Sequence, residues 1–171
     1  MKIRKLTSEN HNKASSLLRQ TFPGSNYEIK LVENFHKNKT TVHEWVCIHS
    51  NVIIAYIAFS KAYKGSDICG LHLGPLAVKP DFQNQGIGSE LLRFALRQEE
   101  IKTNTIFVLG NPFFYQKFGF KPCNLPICPF GKNNKHFLSL RNNITDQFTV
   151  GYESEFNIEK KRRVNKQLGK R

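Results

Sequence analysis

The sequence predicts a single α+β domain. The chain has 171 residues and is 39% apolar, which is enough to bury one continuous core. Its 14 Phe and many aliphatic residues recur in short patterned runs, which argues against disorder. Turn residues separate these runs, and the runs follow the order β-α-α-β-β-β-α-β-α-β, then a last strand. No internal repeat interrupts this order.

The first elements are a strand and two helices. Alternating charged and apolar residues predict a short strand at residues 2–6. Ser8 is a suitable N-cap for a helix that runs to about Phe22, where a Pro-Gly pair ends it. Ser25 and Glu28 then have the spacing of a capping box, so a second helix should start there.

Three strands follow the helices. Residues 42–49 and 52–62 predict a hairpin that turns at Ser50-Asn51. Residues 69–78 predict a further strand, which Gly74-Pro75 interrupts. Proline cannot donate a hydrogen bond to a neighbouring strand, so we expect a bulge or a bend at that point.

The last part of the domain alternates helices and strands. A long helix should run from Gly86 to about Glu100, and a brief helix from about Pro112 to Lys117. Strands are expected at 105–109, near 136–140 and near 147–152, and residues 121–135 should form a loop. The length of this loop makes it a candidate lid over a binding pocket.

The chain is strongly basic, and its basic residues are concentrated at the end. Lys and Arg number 26 against 13 Asp and Glu, a formal net charge of +13. Residues 159–171 hold seven Lys and Arg against one Glu, so we predict a domain over 1–158 and a basic C-terminal tail over 159–171. Such a tail can bind nucleic acid through phosphates, but no nucleic-acid motif accompanies it. We therefore favour a solubilising terminus.

The cellular setting expected from the sequence is the cytoplasm. No run approaches the roughly 18 apolar residues of a membrane span, and the start lacks the apolar stretch of a secretory signal. Four cysteines are then expected as free thiols. Cys123 and Cys128 form one pair, and Cys69 and His72 would point to opposite faces of a regular strand. No metal site is expected from them.

The most informative segment joins the strand ending at Val78 to the long helix. Gly86 and Gly88 open that helix, whose first N–H groups are unpaired and carry a partial positive charge. This arrangement suits a diphosphate. The segment lacks the third small residue of a dinucleotide fingerprint and the Gly-Lys-Ser/Thr of a Walker loop. A tightly packed helix cap remains the structural alternative.

Two motifs in register carry a resemblance. Gln83-x-x-Gly86-x-Gly88 closely resembles the Q/R-x-x-G-x-G/A motif of the GNAT superfamily of acetyl-CoA-dependent N-acetyltransferases. Residues 114–120, Phe-Tyr-Gln-Lys-Phe-Gly-Phe, look like the F-Y-x-x-x-G-F of that family, and the resemblance covers about residues 1–157. Residues 73–78 and 109–112 are similar to a bacterial subgroup of largely unassigned GNAT enzymes.

The resemblance implies a fold and a cofactor site. It implies a mixed, twisted central sheet, flanked by helices, that splays between the strands ending at Val78 and Leu109, with the pantetheine arm of acetyl-CoA in the split. No metal is implied. The residues implied to bind acetyl-CoA are Leu76, Ala77, Val78, Gln83, Asn84, Gln85, Gly86, Gly88, Ser89 and Asn111.

The resemblance also implies a reaction. A primary amine attacks the thioester directly in a ternary complex, and Tyr115 stands where the general acid of the family usually lies. A core aromatic is the alternative role for Tyr115. The base is open: His72 and Glu28 are candidates, although a strand-edge histidine and a capping-box glutamate are the plainer interpretations.

The sequence leaves an alternative function, the acceptor and the oligomeric state open. A degenerate GNAT domain could act as a basic module that binds CoA, RNA or ribosomes. For an enzyme, the acceptor would be a small-molecule or peptide amine that the sequence does not identify, and the chain would be a monomer or a homodimer. No membrane partner is expected.

Overall fold

A computed structural model describes residues 1–131 and 134–158. The predicted basic tail at 159–171 lies outside the described residues, so the boundary between domain and tail stays a prediction. None of the helices in the part of the chain that the structure describes has both the length and the apolar character needed to cross a bilayer.

The described chain folds as strands and helices in the predicted α+β arrangement. The helices are α1 (His11–Thr21), α2 (Tyr27–Lys37), α3 (Ile87–Leu96) and α4 (Pro112–Tyr115). The strands are β1 (Lys2–Lys5), β2 (His43–His49), β3 (Val52–Lys64), β4 (Asp67–Val78), β5 (Ile106–Leu109), β6 (Lys121–Pro122), β7 (Phe137–Leu140) and β8 (Gly151–Tyr152).

All eight strands belong to one mixed sheet. Its order is β1-β2-β3-β4-β5-β7-β6, and β8 pairs with the end of β3. The β4–β5 pair is parallel and the other pairs are antiparallel. The predicted α+β class with a mixed sheet is therefore confirmed.

Helices cover both faces of the central strand β3, whose residues 53–60 are all buried. Apolar residues of α1 and α2 pack with Tyr56 and Ala58 on one face. On the other face, α3 packs with Ile57 and Phe59. At the start of β3, Ser50 and Asn51 have φ of 47° and 62°, the positive values that a tight two-residue hairpin turn requires. The predicted hairpin is therefore confirmed.

The predicted irregularity in β4 is a bulge at Gly74-Pro75. Leu73 lies opposite Phe59, but Leu76 lies opposite Ile57, so β4 uses three steps where β3 uses two. The parallel pairing of β4 with β5 ends at Leu73, directly before the bulge. Beyond that point the two strands separate, and the predicted splay of the sheet is confirmed.

Three element boundaries differ from the prediction. Helix α3 ends at Leu96, not near Glu100, because the following backbone makes tighter three-residue turns that carry Ile101 into the core. Helix α1 begins at His11, since Ser8–Asn10 form a 3₁₀ turn. The last strand is limited to residues 151–152.

The segment predicted as one loop over 121–135 begins with a strand. Lys121 and Pro122 form β6 and pair with Ser139 and Leu138 of β7. Pro122 is tolerated because β6 is the last strand at this edge of the sheet. The sequence signal was misleading because several prolines in this segment are typical of a loop.

A polar network ties α1 and α2 to the sheet. Glu44 of β2 accepts a hydrogen bond from the buried Tyr56 hydroxyl at 2.6 Å, and its Oε1 lies 2.7 Å from Nε2 of His36. The His36 ring stacks on the His11 ring with centroids 3.5 Å apart. Burial and the neighbouring His36 lower the pKa of His11, whereas Glu44 opposes that shift.

We expect Glu44→Leu to lower the free energy of unfolding by about 1–3 kcal/mol, because it strands the buried Tyr56 hydroxyl. Chemical denaturation at pH 7 measures this loss. Glu33→Leu is the control, since Glu33 forms an exposed ion pair with Arg19 at 3.6 Å, which is worth roughly 0–1 kcal/mol. Equal losses in the two variants would contradict the role of the network.

Candidate active site

The splay of the sheet opens a first cleft of about 750 Å³ between the end of β4, the start of α3 and α4. The predicted residues that line this cleft are Leu76, Val78, Gln83, Asn84, Gly86, Gly88, Ser89, Asn111 and Tyr115. Ala77 lies apart from it, because its side chain packs with α1 and α2 on the opposite face. Thr21 and Phe22 from the end of α1 also line the cleft.

A second cleft of about 500 Å³ adjoins the first. Phe22, Leu76 and Tyr115 line both, so the two clefts meet at these three residues. The two candidate bases of the sequence analysis, Glu28 and His72, both line the second cleft. The structure therefore places the candidate acid at the junction and the candidate bases on one side of it.

The loop before α3 has a backbone that glycine makes possible. Gly86 caps the helix with φ of +81°, and Asn84 also has a positive φ of 59°. A Cβ on Gly88 would lie 3.3 Å from Cγ2 of Val78, so glycine lets the start of α3 approach the end of β4. The first N–H groups of α3 have no partner within the helix and border the cleft.

Two glutamine side chains hold this loop in place. Gln83 Nε2 donates to the carbonyl of Val78 at 2.9 Å, and Gln85 Nε2 donates to the carbonyl of Asp81 at 3.1 Å. The Thr21 hydroxyl lies 3.3 Å from the same Val78 oxygen. Both glutamines were expected to bind acetyl-CoA, and these hydrogen bonds show that their side-chain amides also fix the path of the loop.

Tyr115 is held tightly at the junction of the clefts. Its side chain is 8% exposed, and burial raises the pKa of its phenol, which therefore keeps its proton at neutral pH. Asn111 caps α4 by accepting a hydrogen bond from the N–H of Phe113 at 3.0 Å. A Cβ on Gly110 would lie 2.3 Å from Cε2 of Tyr115. Gly110 thus sets the ring position, a role that no sequence motif signalled.

His72 is a buried member of an aromatic cluster. Its ring stacks on Tyr152 with centroids 4.0 Å apart and meets the edge of Phe156 at 4.9 Å. Burial lowers the pKa of His72 to about 3, so the imidazole is neutral at pH 7. A group with so low a pKa is a weak proton acceptor.

Glu28 stands in the first turn of α2, but the predicted capping box is not formed, because Asn26 is the N-cap and the Ser25 backbone N–H donates to the carbonyl of Phe22. The Ser25 hydroxyl donates to Oε2 of Glu28 at 2.8 Å and accepts from the N–H of Tyr27 at 3.3 Å. The helix itself begins at Tyr27. The serine therefore fixes the carboxylate and supports the first turn of the helix at once.

The cysteines and the histidine cluster bear on metal binding. Cys47, Cys69, Cys123 and Cys128 are all free thiols, as predicted. Within the described residues, His11, His36 and Glu44 bring one ligand atom each to within 4.8 Å of one another. The sequence gave no signal of this cluster, because its members come from α1, α2 and β2. The two rings lie face to face at an interplanar angle of 10°, so their in-plane lone pairs run side by side rather than converge.

Comparisons with known proteins agree with this fold and site. A sequence profile described as an acetyltransferase (GNAT) domain matches residues 41–122. The chain is 38% identical over 74 residues to the uncharacterized N-acetyltransferase YjhQ of Escherichia coli K12, which is 41% of either chain. It is 30% identical over 109 residues to the uncharacterized N-acetyltransferase YhbS of the same strain, 62% of this chain and 65% of the relative. These matches span less than two thirds of the length of either relative.

Solved structures extend the likeness over most of the chain. The crystal structure of E. coli YhbS in complex with CoA superposes with a TM-score of 0.82 and 23% identity, covering 91% of both chains. A GNAT family acetyltransferase from Brucella melitensis in complex with acetyl-CoA superposes with a TM-score of 0.75 and 26% identity, covering 91% of this chain and 97% of that one. The chain therefore has the fold of the GNAT acetyltransferases, and its residues 41–122 match the sequence profile of that domain.

Acid should destabilise the fold through His72. Its folded pKa of about 3 lies below the ordinary value of 6.5, so between these pH values the unfolded chain binds a proton that the folded chain does not. As the pH falls through this window, His72 should cost about 1.4 kcal/mol of stability per pH unit. We expect His72→Phe, which keeps an aromatic ring, to remove this contribution.

Denaturant unfolding of both proteins between pH 8 and pH 3 measures the difference. Above pH 7 the two stability curves should run parallel, which provides the internal control. Curves that stay parallel down to pH 4 would show that the burial of His72 does not govern its protonation.

Proposed function

We propose that the protein transfers an acetyl group from acetyl-CoA to a primary amine within a ternary complex. The observation that carries this proposal is the meeting of two clefts at Leu76 and Tyr115. One cleft would hold the coenzyme and the other the amine, so that the thioester lies at the junction. Proximity and orientation then allow the amine to attack without a covalent enzyme intermediate.

The first cleft suits CoA for two reasons. The start of α3 offers unpaired N–H groups and the positive end of a helix dipole to a diphosphate, with the Ser89 hydroxyl beside it. The end of β4 beyond the bulge has no β5 partner, so its edge is open to the pantetheine amides, apart from the Val78 carbonyl, which accepts from Gln83. The solved relatives YhbS and the Brucella protein contain CoA and acetyl-CoA, respectively, which supports the same ligand here.

The reaction forms one bond and breaks one. The amine nitrogen bonds to the thioester carbon, and negative charge develops on the carbonyl oxygen, where a backbone N–H near Leu76 would stabilise it. The C–S bond then breaks, and the leaving thiolate takes a proton from the Tyr115 phenol. Because burial raises the pKa of Tyr115, the phenol is protonated before this step.

The proton that the amine loses needs an acceptor. Glu28 is the better candidate, because it lines the second cleft as a carboxylate and can take the proton directly or through water. His72 lines the same cleft, but its pKa of about 3 makes it a weak base. We therefore assign Glu28 to proton acceptance and His72 to the wall of the cleft.

We expect Tyr115→Phe to lower kcat by about a hundredfold or more, with little change in the Kd for acetyl-CoA. The variant keeps the ring that packs against Phe114 and Phe120 and removes only the proton donor. Release of CoA thiol measures kcat, and calorimetry measures binding. Tyr63→Phe is the control, since that hydroxyl bonds to Glu153 outside the clefts. If Tyr115→Phe kept the kcat of the wild type, Tyr115 would not be the proton donor.

Alanine substitutions at two glycines with similar backbone geometry test where the coenzyme binds. Gly86 and Gly65 have φ of +81° and +62°, and neither has an atom within 4 Å of a built Cβ. Alanine at either position should cost roughly 1–2 kcal/mol of stability through backbone strain. Only Gly86→Ala should raise the Kd for acetyl-CoA, by tenfold or more, because Gly86 lines the first cleft.

Calorimetry of acetyl-CoA with the wild-type protein and both variants measures these Kd values. Gly65 lies in the turn between β3 and β4, so its alanine variant controls for lost stability. A wild-type protein that binds neither CoA nor acetyl-CoA would overturn the proposed function. If the two alanine variants raised the Kd for acetyl-CoA equally, the coenzyme would not bind at the start of α3.

A further inference from the structure

The geometry of the second cleft points to a class of acceptor: a monoamine whose amino group is attached to an apolar, ring-sized body. Glu28 would bind the ammonium group, and the aromatic walls would bind the body. This inference rests on the proposed function and extends it to the substrate class.

Aromatic and aliphatic side chains form one part of the wall of the second cleft, beside polar surface of similar extent. Several come from segments far apart in the chain, which the fold brings together around one space: Phe22, Leu31, Pro75, Leu109, Phe130 and Phe156. Phe156 is itself packed between Phe35 and Tyr152, so this wall is rigid. Burial of an apolar ligand surface against such walls is favourable in proportion to the area removed from water.

Among the described residues, the charge of the second cleft is concentrated in one group. Among the described residues that line it, Glu28 is the only Asp, Glu, Lys or Arg. His72 adds no charge at pH 7, because burial lowers its pKa to about 3. The described lining therefore offers one carboxylate, and the neighbouring apolar side chains strengthen its attraction for a single ammonium group.

Glu28 is also prepared to bind a cation. Ser25 donates to Oε2 at 2.8 Å, which fixes the rotamer of the carboxylate. Within the described part of the chain, Oε1 has no hydrogen-bond partner, so it is free to accept from an ammonium N–H. A charge-assisted bond of this kind is among the stronger polar contacts available to a protein.

The same features disfavour other amines. A polyamine would place its further ammonium groups against apolar walls without a second carboxylate, and an unpaired charge in such a place is costly. An amino acid would place its own carboxylate in a cleft whose described lining has no Lys or Arg to receive it. A volume of about 500 Å³ accommodates a ring and a short chain.

Three amines test this assignment: 2-phenylethylamine, L-phenylalanine and spermidine. The first has the proposed chemistry, the second adds a carboxylate to the same body, and the third adds charge and lacks the ring. With acetyl-CoA, we expect kcat/KM for 2-phenylethylamine to exceed that of the other two by at least tenfold. Calorimetry of each amine with the CoA complex and with the free protein should give the same order of affinity.

Variants locate the binding group. Glu28→Gln should raise KM for 2-phenylethylamine at least tenfold and weaken its calorimetric binding, while the Kd for acetyl-CoA stays unchanged. Glu33→Gln, on the exposed face of the same helix α2, should behave as the wild type in all of these measurements. A preference for spermidine or phenylalanine, or wild-type amine binding by Glu28→Gln, would overturn the inference.

Two outcomes separate this inference from the proposed function. If acetyl-CoA binds and 2-phenylethylamine does not bind the CoA complex, the acceptor class is wrong and the transferase proposal stands. If the free protein binds 2-phenylethylamine through Glu28 but never binds acetyl-CoA, the amine site stands and the transferase proposal fails.

Discussion

The separation of β4 from β5 is the constraint on which both clefts depend. Two parallel strands that start in register continue to pair unless something breaks the ladder, and here the extra residue at Gly74-Pro75 breaks it after Leu73. Pro75 has no N–H to offer a neighbouring strand, which removes a further ladder bond. The free end of β4 then runs between the two clefts. The same strand that anchors the core through Leu71 and Leu73 thus supplies an unpaired edge at its other end.

Charge is divided between the two sides of that edge. The first cleft has the positive end of α3, which suits a diphosphate. Among the described residues that line the second cleft, Glu28 is the one carboxylate, and burial keeps His72 neutral. A positively charged His72 would compete with the proposed cationic acceptor for Glu28. The low pKa of His72 removes that competition at neutral pH.

The features that could be predicted from the sequence are those that a few neighbouring residues determine through their backbone preferences. The bulge at Gly74-Pro75, the hairpin turn at Ser50-Asn51 and the glycine-rich start of α3 all follow from residues that restrict or free the backbone. The residues that sequence reasoning missed depend on tertiary contacts. Gly110 matters because of the Tyr115 ring, and Phe22 lines the clefts only because α1 ends beside β4. Likewise, α3 ends early because the turns that follow it carry Ile101 into the core, a contact that the local pattern does not reveal.

The sequence left two roles open for Tyr115, and each needs a different part of its side chain. A core aromatic needs only its ring, and the contacts with Phe114 and Phe120 involve only the ring. Phenylalanine would make these same contacts. Tyr115 is 8% exposed, and its phenol oxygen is not among the buried polar atoms without a partner in the described residues. Packing therefore gives no reason for the hydroxyl, which agrees with its proposed role as a proton donor at the junction of the clefts.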